Sequence, residues 1–121
     1  MKIENIKFKA KRLDGKGWAI GDLLHSYENG AIIVPIEGGG AFSVDPSTVC
    51  QFTGLKDQDE NDIFEGDLLA EKRFPMYEVG YANSEFAASY IGENTFIFKL
   101  PALSKGCVVC GSKYDRKGGE K

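Results

Sequence analysis

The chain has 121 residues, with 15 glycines, 8 phenylalanines, 5 tyrosines and a formal charge of −3. That length suits one domain with its own core, and the composition favours a β-rich fold with many turns. No apolar run approaches the ~20 residues of a membrane helix, the first five residues hold no hydrophobic signal region, and 3 cysteines do not make a disulfide framework, so a cytoplasmic protein with free thiols is expected.

Charge is uneven along the chain. Residues 1–20 carry +4, residues 113–121 carry +2 and residues 21–112 carry −9. An acidic body repels phosphate and disfavours sequence-independent nucleic-acid binding, although two basic ends would form a patch if they met in space.

The first element is a strand over Ile6–Leu13. Ile6, Phe8 and Ala10 alternate with Lys7, Lys9 and Lys11, which predicts an apolar face turned inward and a lysine face turned to solvent. Asp14-Gly15-Lys16-Gly17 is a hairpin turn, and Trp18–Leu24 is the returning strand. Ala31–Ile36 is apolar on both faces, and Pro35 belongs near a strand end or edge because it cannot donate to a ladder. Gly38-Gly39-Gly40 is a loop without the Gly-Lys-Ser/Thr ending or the following helix of a phosphate cradle. Asp45-Pro46-Ser47 is a turn or one short helical turn.

Thr48–Thr53 is β-branched, aromatic or small, and it stops at Gly54. Asp57-Gln58-Asp59-Glu60-Asn61-Asp62 has no apolar residue and reads as an exposed, solvated turn. Its spacing imitates the first ligands of a calcium loop, but Asp62 stands where that loop needs glycine and Leu68 where it needs glutamate. Ile63 and Phe64 return to the core, Glu65-Gly66-Asp67 bends sharply with Gly66 at positive φ, and Leu68–Glu71 opens a strand. Lys72–Pro75 breaks it. Met76–Tyr81, Phe86–Ile91, Thr95–Leu100 and Cys107–Gly111 are further strands, Thr95–Leu100 the clearest among them. Pro101–Lys105 is a connector with room for one helical turn, and residues 116–121 are expected to be a disordered tail.

The run Gln51-Phe52-Thr53-Gly54-Leu55-Lys56-Asp57, a polar turn, then Ile63-Phe64-Glu65-Gly66-Asp67-Leu68-Leu69 resembles the hallmark of the YopX family of phage- and prophage-encoded proteins. The opening Ile6–Ala10 and the segment Trp18–Leu23 resemble that family too. The tail keeps a strand, a glycine and Tyr114-Asp115, then departs at Arg116-Lys117-Gly118-Gly119. The resemblance implies a β-roll and supplies no activity, because the family is largely uncharacterised. Together with the short, regular strand spacing it predicts a mostly-β fold with little helix. The expected organisation is a single β-rich domain over 1–115, with N-terminal strands over 1–50 and a small SH3-like barrel over 51–115.

Constellations that would carry chemistry are sparse. Cys107-Val108-Val109-Cys110 is a CxxC, but two valines favour a strand in which the cysteines point to opposite faces, which is poor for zinc. Cys50 and His25 are the remaining ligand candidates and lie far away in sequence. His25 is the sole histidine, and nothing in the spacing supports a catalytic pairing with Ser26 or Cys50. Tyr77, Tyr81, Tyr90, Phe96 and Phe98 fall on neighbouring strands, and most of these rings are expected in the core. No catalytic residue, metal or cofactor is expected. The sequence points to a non-enzymatic protein-interaction module whose partner is a phage or host protein or a second copy of the chain. The alternative is a nucleic-acid-binding module using Lys7, Lys9, Lys11, Arg12, Lys113 and Arg116, with Lys117 beside them.

Overall fold

A computed structural model of the chain describes residues 2–115. The fold is mostly β, with eleven strands, three short 3-10 turns and one five-residue helix among the described residues. The strands form two antiparallel sheets, and the chain divides into two compact units, Met1–Phe52 and Thr53–Lys121.

In the first unit β1 (Phe8–Lys11), β2 (Trp18–His25), β3 (Ala31–Val34), β4 (Phe42–Val44) and the start of β5 (Cys50–Lys56) lie in the order β4-β3-β2-β1-β5. The alternation read in the sequence sets the register. Ala10 lies opposite Ala19 and Leu23 opposite Ile33, so one face carries the buried cluster Ala10, Ala19, Ile33 and Val44. Phe8, Leu23 and Phe42 pack against that cluster. Ile6 precedes the strand and is exposed instead. β4, absent from the sequence reading, is also held on its far side. Leu13 N–H donates to Ser43 O at 3.0 Å, Asp45 N–H donates to Lys11 O at 2.8 Å, and Arg12 bridges Val44. These contacts curl the sheet without closing it into a barrel. Asp45 accepts from Ser47 N–H at 3.0 Å and caps the 3-10 turn Pro46–Thr48, which leads into β5.

In the second unit β6 (Asp62–Phe64) runs beside the end of β5. β7 (Asp67–Glu71), β8 (Phe74–Ala82), β9 (Glu85–Tyr90), β10 (Phe98–Lys99) and β11 (Val108–Ser112) form a sheet in the order β10-β9-β8-β7-β11. Its core is Ile63, Leu69, Tyr77, Val79, Ala88, Leu100 and Cys107. Burying a Leu, Ile or Val side chain of this kind contributes about 1.5–3 kcal/mol. The closed barrel expected over 51–115 is not formed, because β10 and β11 are open edges of the sheet. The expected strand over Thr95–Leu100 shrinks to the two residues of β10. Thr95 N–H donates instead to Ser89 Oγ at 3.0 Å, the Phe96 ring lies against Gly80, and Leu100–Ser104 turns into the short helix α1.

Gly21 marks the tightest approach in the first unit. A Cβ there would overlap Val34 O and stand 2.7 Å from Pro35 Cα, both backbone atoms. Gly21→Ala is therefore expected to destabilise the protein by about 2 kcal/mol, the cost of overpacking against main chain. The check is urea denaturation followed by circular dichroism; an unchanged midpoint would show that β3 moves aside freely.

Candidate functional site

The stretch from Thr53 to Asp67 is rich in side-chain hydrogen bonds, and a carboxylate stands at its centre. Asp57 is 3% exposed. Its Oδ1 accepts from Asp59 N–H at 2.8 Å and Asn61 N–H at 2.9 Å. Its Oδ2 accepts from Asn61 Nδ2 at 3.2 Å and from Val109 N–H, on the edge strand β11, at 2.8 Å. Burial pushes the Asp57 pKa up, but the hydrogen bonds from Val109, Asn61 and Asp59 push further the other way, so the carboxyl lies below its usual range. The turn is thus not wholly solvated as its composition suggests. Asp59, Glu60 and Asn61 face water, while Asp57 is built into the fold.

Thr53 and the Glu65-Gly66-Asp67 bend complete the stretch. Thr53 Oγ1 donates to Ile63 O at 2.7 Å, tying β5 to β6. Asp67 is 1% exposed and accepts from Phe64 N–H at 2.7 Å. Gly66 has φ 86°, as expected of the bend, and its N–H donates to Val79 O at 2.8 Å. Each of these polar atoms is engaged with backbone, so these three residues shape the chain.

The residues expected to bind nucleic acid fall in both units. Lys7, Lys9 and Lys11 share the face of β1 opposite the core, as expected. The Lys7 ammonium lies 4.6 Å from the Phe52 ring centroid, and those of Lys9 and Lys11 lie 4.6 and 5.7 Å from the Trp18 ring. Arg12 turns the other way, with its guanidinium 4.0 Å from the Phe42 ring and 2.6 Å from Asp14. Lys113 belongs to the second unit, where it stands 3.6 Å from Glu78 and over the Tyr114 ring. Arg116 and Lys117, with the rest of the 116–121 tail, lie outside the described residues.

The thiols and the histidine are not gathered. Cys107 is 1% exposed in the core, whereas Cys110 is an exposed residue of β11 whose Sγ turns to Leu68 O at 3.4 Å. Burial pushes the Cys107 thiol above the ordinary thiol range, and desolvation of its inward-turned sulfur does the same for Cys110. Cys50 is buried and donates to Thr48 O at 3.2 Å. His25 is exposed at the end of β2, lining a shallow groove of about 380 Å³ with Ser26, Tyr27 and Ile32. Among the described residues no three His, Cys, Asp or Glu side chains are placed to hold a metal ion.

The aromatic set is divided between core and surface. Tyr77 is buried and Phe96 and Phe98 are half-buried, but Tyr81 and Tyr90 are 56% and 44% exposed. Tyr90 stacks on Tyr77 with centroids 5.5 Å apart and planes at 19°, and Phe98 meets it edge-on at 4.9 Å. At the same end of the sheet stand three apolar residues that sequence reasoning did not single out. Met76 O accepts from Ile91 N–H at 3.2 Å, and Phe74 opens the same strand as Met76. Periodicity gave no warning here, because the register between β7 and β8 shifts at Ala70, leaving Met76 without a partner residue opposite it.

The fold and the hallmark bends can be set beside known proteins. The family model described as "YopX protein" matches residues 7–117. The chain belongs to the YopX family. No curated protein matches it. The stretch that resembles the YopX hallmark contains the Asp57, Thr53 and Gly66-Asp67 hydrogen bonds, so in this YopX chain it has a structural role.

Asp57→Asn is expected to cost about 2 kcal/mol at pH 7, because an amide oxygen replaces a charged acceptor. A carboxyl with a lowered folded pKa adds stability above its unfolded pKa of about 3.9, and that stability is lost as pH falls through the lower folded value. Thermal melts of both proteins between pH 7 and 3 should therefore show the gap narrowing only in the acid range. A gap independent of pH would show that the charge on Asp57 is immaterial.

Proposed function

We propose that the protein is a non-enzymatic interaction module encoded by a phage or prophage and acting in the host cytoplasm. The observation that carries this reading is the apolar end of the second unit's sheet. There Phe74 is 72% exposed, and Met76, Tyr90 and Ile91 are 39%, 44% and 43% exposed. Phe74, Met76 and Tyr90 sit on strands and Ile91 follows directly, so ordering them on binding costs little entropy. Phe, Tyr and Met are the residue types enriched in protein interfaces. The family resemblance supports the phage origin, and the free thiols support a reducing compartment. No helix among the described residues is long and apolar enough to cross a membrane.

The SH3-like character expected of the family fits the first unit better than the second. Its strand order β4-β3-β2-β1-β5, with a 3-10 turn between β4 and β5, supports placing that character there, and not over 51–115. Such rolls are binding scaffolds more often than catalytic ones.

The test is affinity capture with the full chain in a bacterial host, comparing wild type with Phe74→Ser and Tyr90→Ser. Both variants should retain at least tenfold less of whatever protein the wild type retains, about the effect of removing a hot-spot aromatic, while melting within a few degrees of it. Equal retention by all three proteins would refute the assignment.

A second reading, nucleic-acid binding, is supported by the row Lys7, Lys9 and Lys11 on one face of β1. Against it, two ammoniums lie over the Trp18 ring, and that covered ring face is closed to base stacking. If the row binds phosphate, oligonucleotide anisotropy will show binding that weakens linearly in log salt and falls on Lys9→Gln. Absence of binding at low salt retires this alternative.

A further inference from the structure

We infer that the outer face of β2 and β3, in the first unit, docks a basic amphipathic helix of another protein. The inference goes beyond the interaction-module reading, whose apolar end belongs to the other unit. Ile20, Asp22 and Leu24 alternate along β2 with Ala19 and Leu23, so they share the face turned away from the first unit's core. On β3, Ile32 lies opposite Leu24 and Val34 opposite Asp22. Four aliphatic side chains thus border one another, and Ile20 and Leu24 are 48% and 53% exposed. A contiguous strip of this kind, unlike a lone exposed leucine, marks a contact surface. It ends in two grooves. At the Ile20 end, one of about 360 Å³ is lined by Pro35, Ile36, Glu37 and Lys7. At the Ile32 end lies the groove of His25 and Tyr27.

Charge selects the chemistry of the occupant. Asp22 stands within the strip, Glu37 lines one terminal groove, and Glu28 belongs to the 3-10 turn Tyr27–Asn29 beside the other. All three are exposed, and none forms an ion pair with another described residue. Residues 21–52 contain no lysine or arginine. Lys7, which lines the first groove, holds its ammonium 4.6 Å from the Phe52 ring centroid. Acids spread along the whole strip repel phosphate and anionic lipid and attract a cationic partner.

Backbone pairing selects its form. β2 and β3 already lie between neighbours in the sheet, so a segment laid on their face meets side chains and finds no ladder to join. Such a segment must satisfy its own backbone groups, and a helix does so. From Ile20 to Leu24 a strand rises about 14 Å, which a helix covers with about nine residues. Apolar positions at i, i+3, i+4 and i+7 then follow the strip, and lysines or arginines beside them reach Asp22, Glu28 and Glu37.

The test is a calorimetric titration of the full chain, at physiological salt, with two synthetic helical peptides. One carries leucine on one face and lysine on the other; the second has glutamate in place of lysine. The leucine–lysine peptide should bind at least tenfold more tightly than its counterpart, and Leu24→Ser should weaken it at least tenfold. Asp22→Lys with Glu37→Lys should reverse the preference between the peptides. The same charge change in the second unit, Asp59→Lys with Glu93→Lys, should leave the preference in place, which separates a local site from net charge. All five substituted residues are exposed, so the variants keep the fold, and the reversal reports a gain of binding. Equal affinity for the two peptides, no binding of either, or binding indifferent to Leu24→Ser and to the Asp22–Glu37 reversal would overturn the inference. The interaction-module reading is tested separately at Phe74 and Tyr90, so it stands or falls by the capture experiment.

Discussion

The second unit depends on one buried carboxylate. Asp57 holds its own turn through Asp59 and Asn61, and it reaches the edge strand β11 at Val109, 52 residues further on. Burying a carboxylate costs several kcal/mol unless its lone pairs are used, and here four donors use them. The same bond occupies an outward N–H of an edge strand, a group that would otherwise invite another chain. One side chain thus shapes a loop, fixes a long-range contact and blunts an edge.

That economy separates recognisability from function. The residues by which the family is known are spent on hydrogen bonds inside the fold, and Thr53, Asp57, Gly66 and Asp67 have little left to offer a ligand. The proposed interaction would then use surfaces with no signature of their own. The lysines of β1 are one such surface, and they lie over rings as much as they face water. The apolar end of β8 and β9 is the other, and it differs in having large side chains exposed on ordered backbone. A sequence can therefore announce its family strongly while saying little about its partner.

What could be read in advance follows the range of the interactions. The alternation in β1 and the positive φ at Gly66 are local and were legible. Asp57 was misread because its composition and neighbours are those of a solvated turn, while its decisive partner is Val109. Thr95–Leu100 has strong strand character, yet Ser89 Oγ and the Gly80 surface draw Thr95 and Phe96 out of the ladder. Tertiary context overrode propensity there. Phe42–Val44 is too short to signal itself and exists because Ala31–Ile33 on one side and Lys11–Leu13 on the other supply its hydrogen bonds. The exposure of Phe74 and Met76 depends on a register shift, which no periodicity records.

The tie between Arg12 and Val44, with Lys9 opposite Cys50, also bears on how the chain is made. During synthesis β1, β2 and β3 emerge as a meander whose neighbours pair at once, so little is asked of the nascent chain. The two partners that secure β1 and β4 arrive only with residues 44 to 52, and with them the first unit has every strand it needs. Its closing loops are short, and short loops close fast. All but the end of β5 in the first unit's sheet therefore leaves the ribosome before the strands of the second unit, so its pairings can form without competition from them.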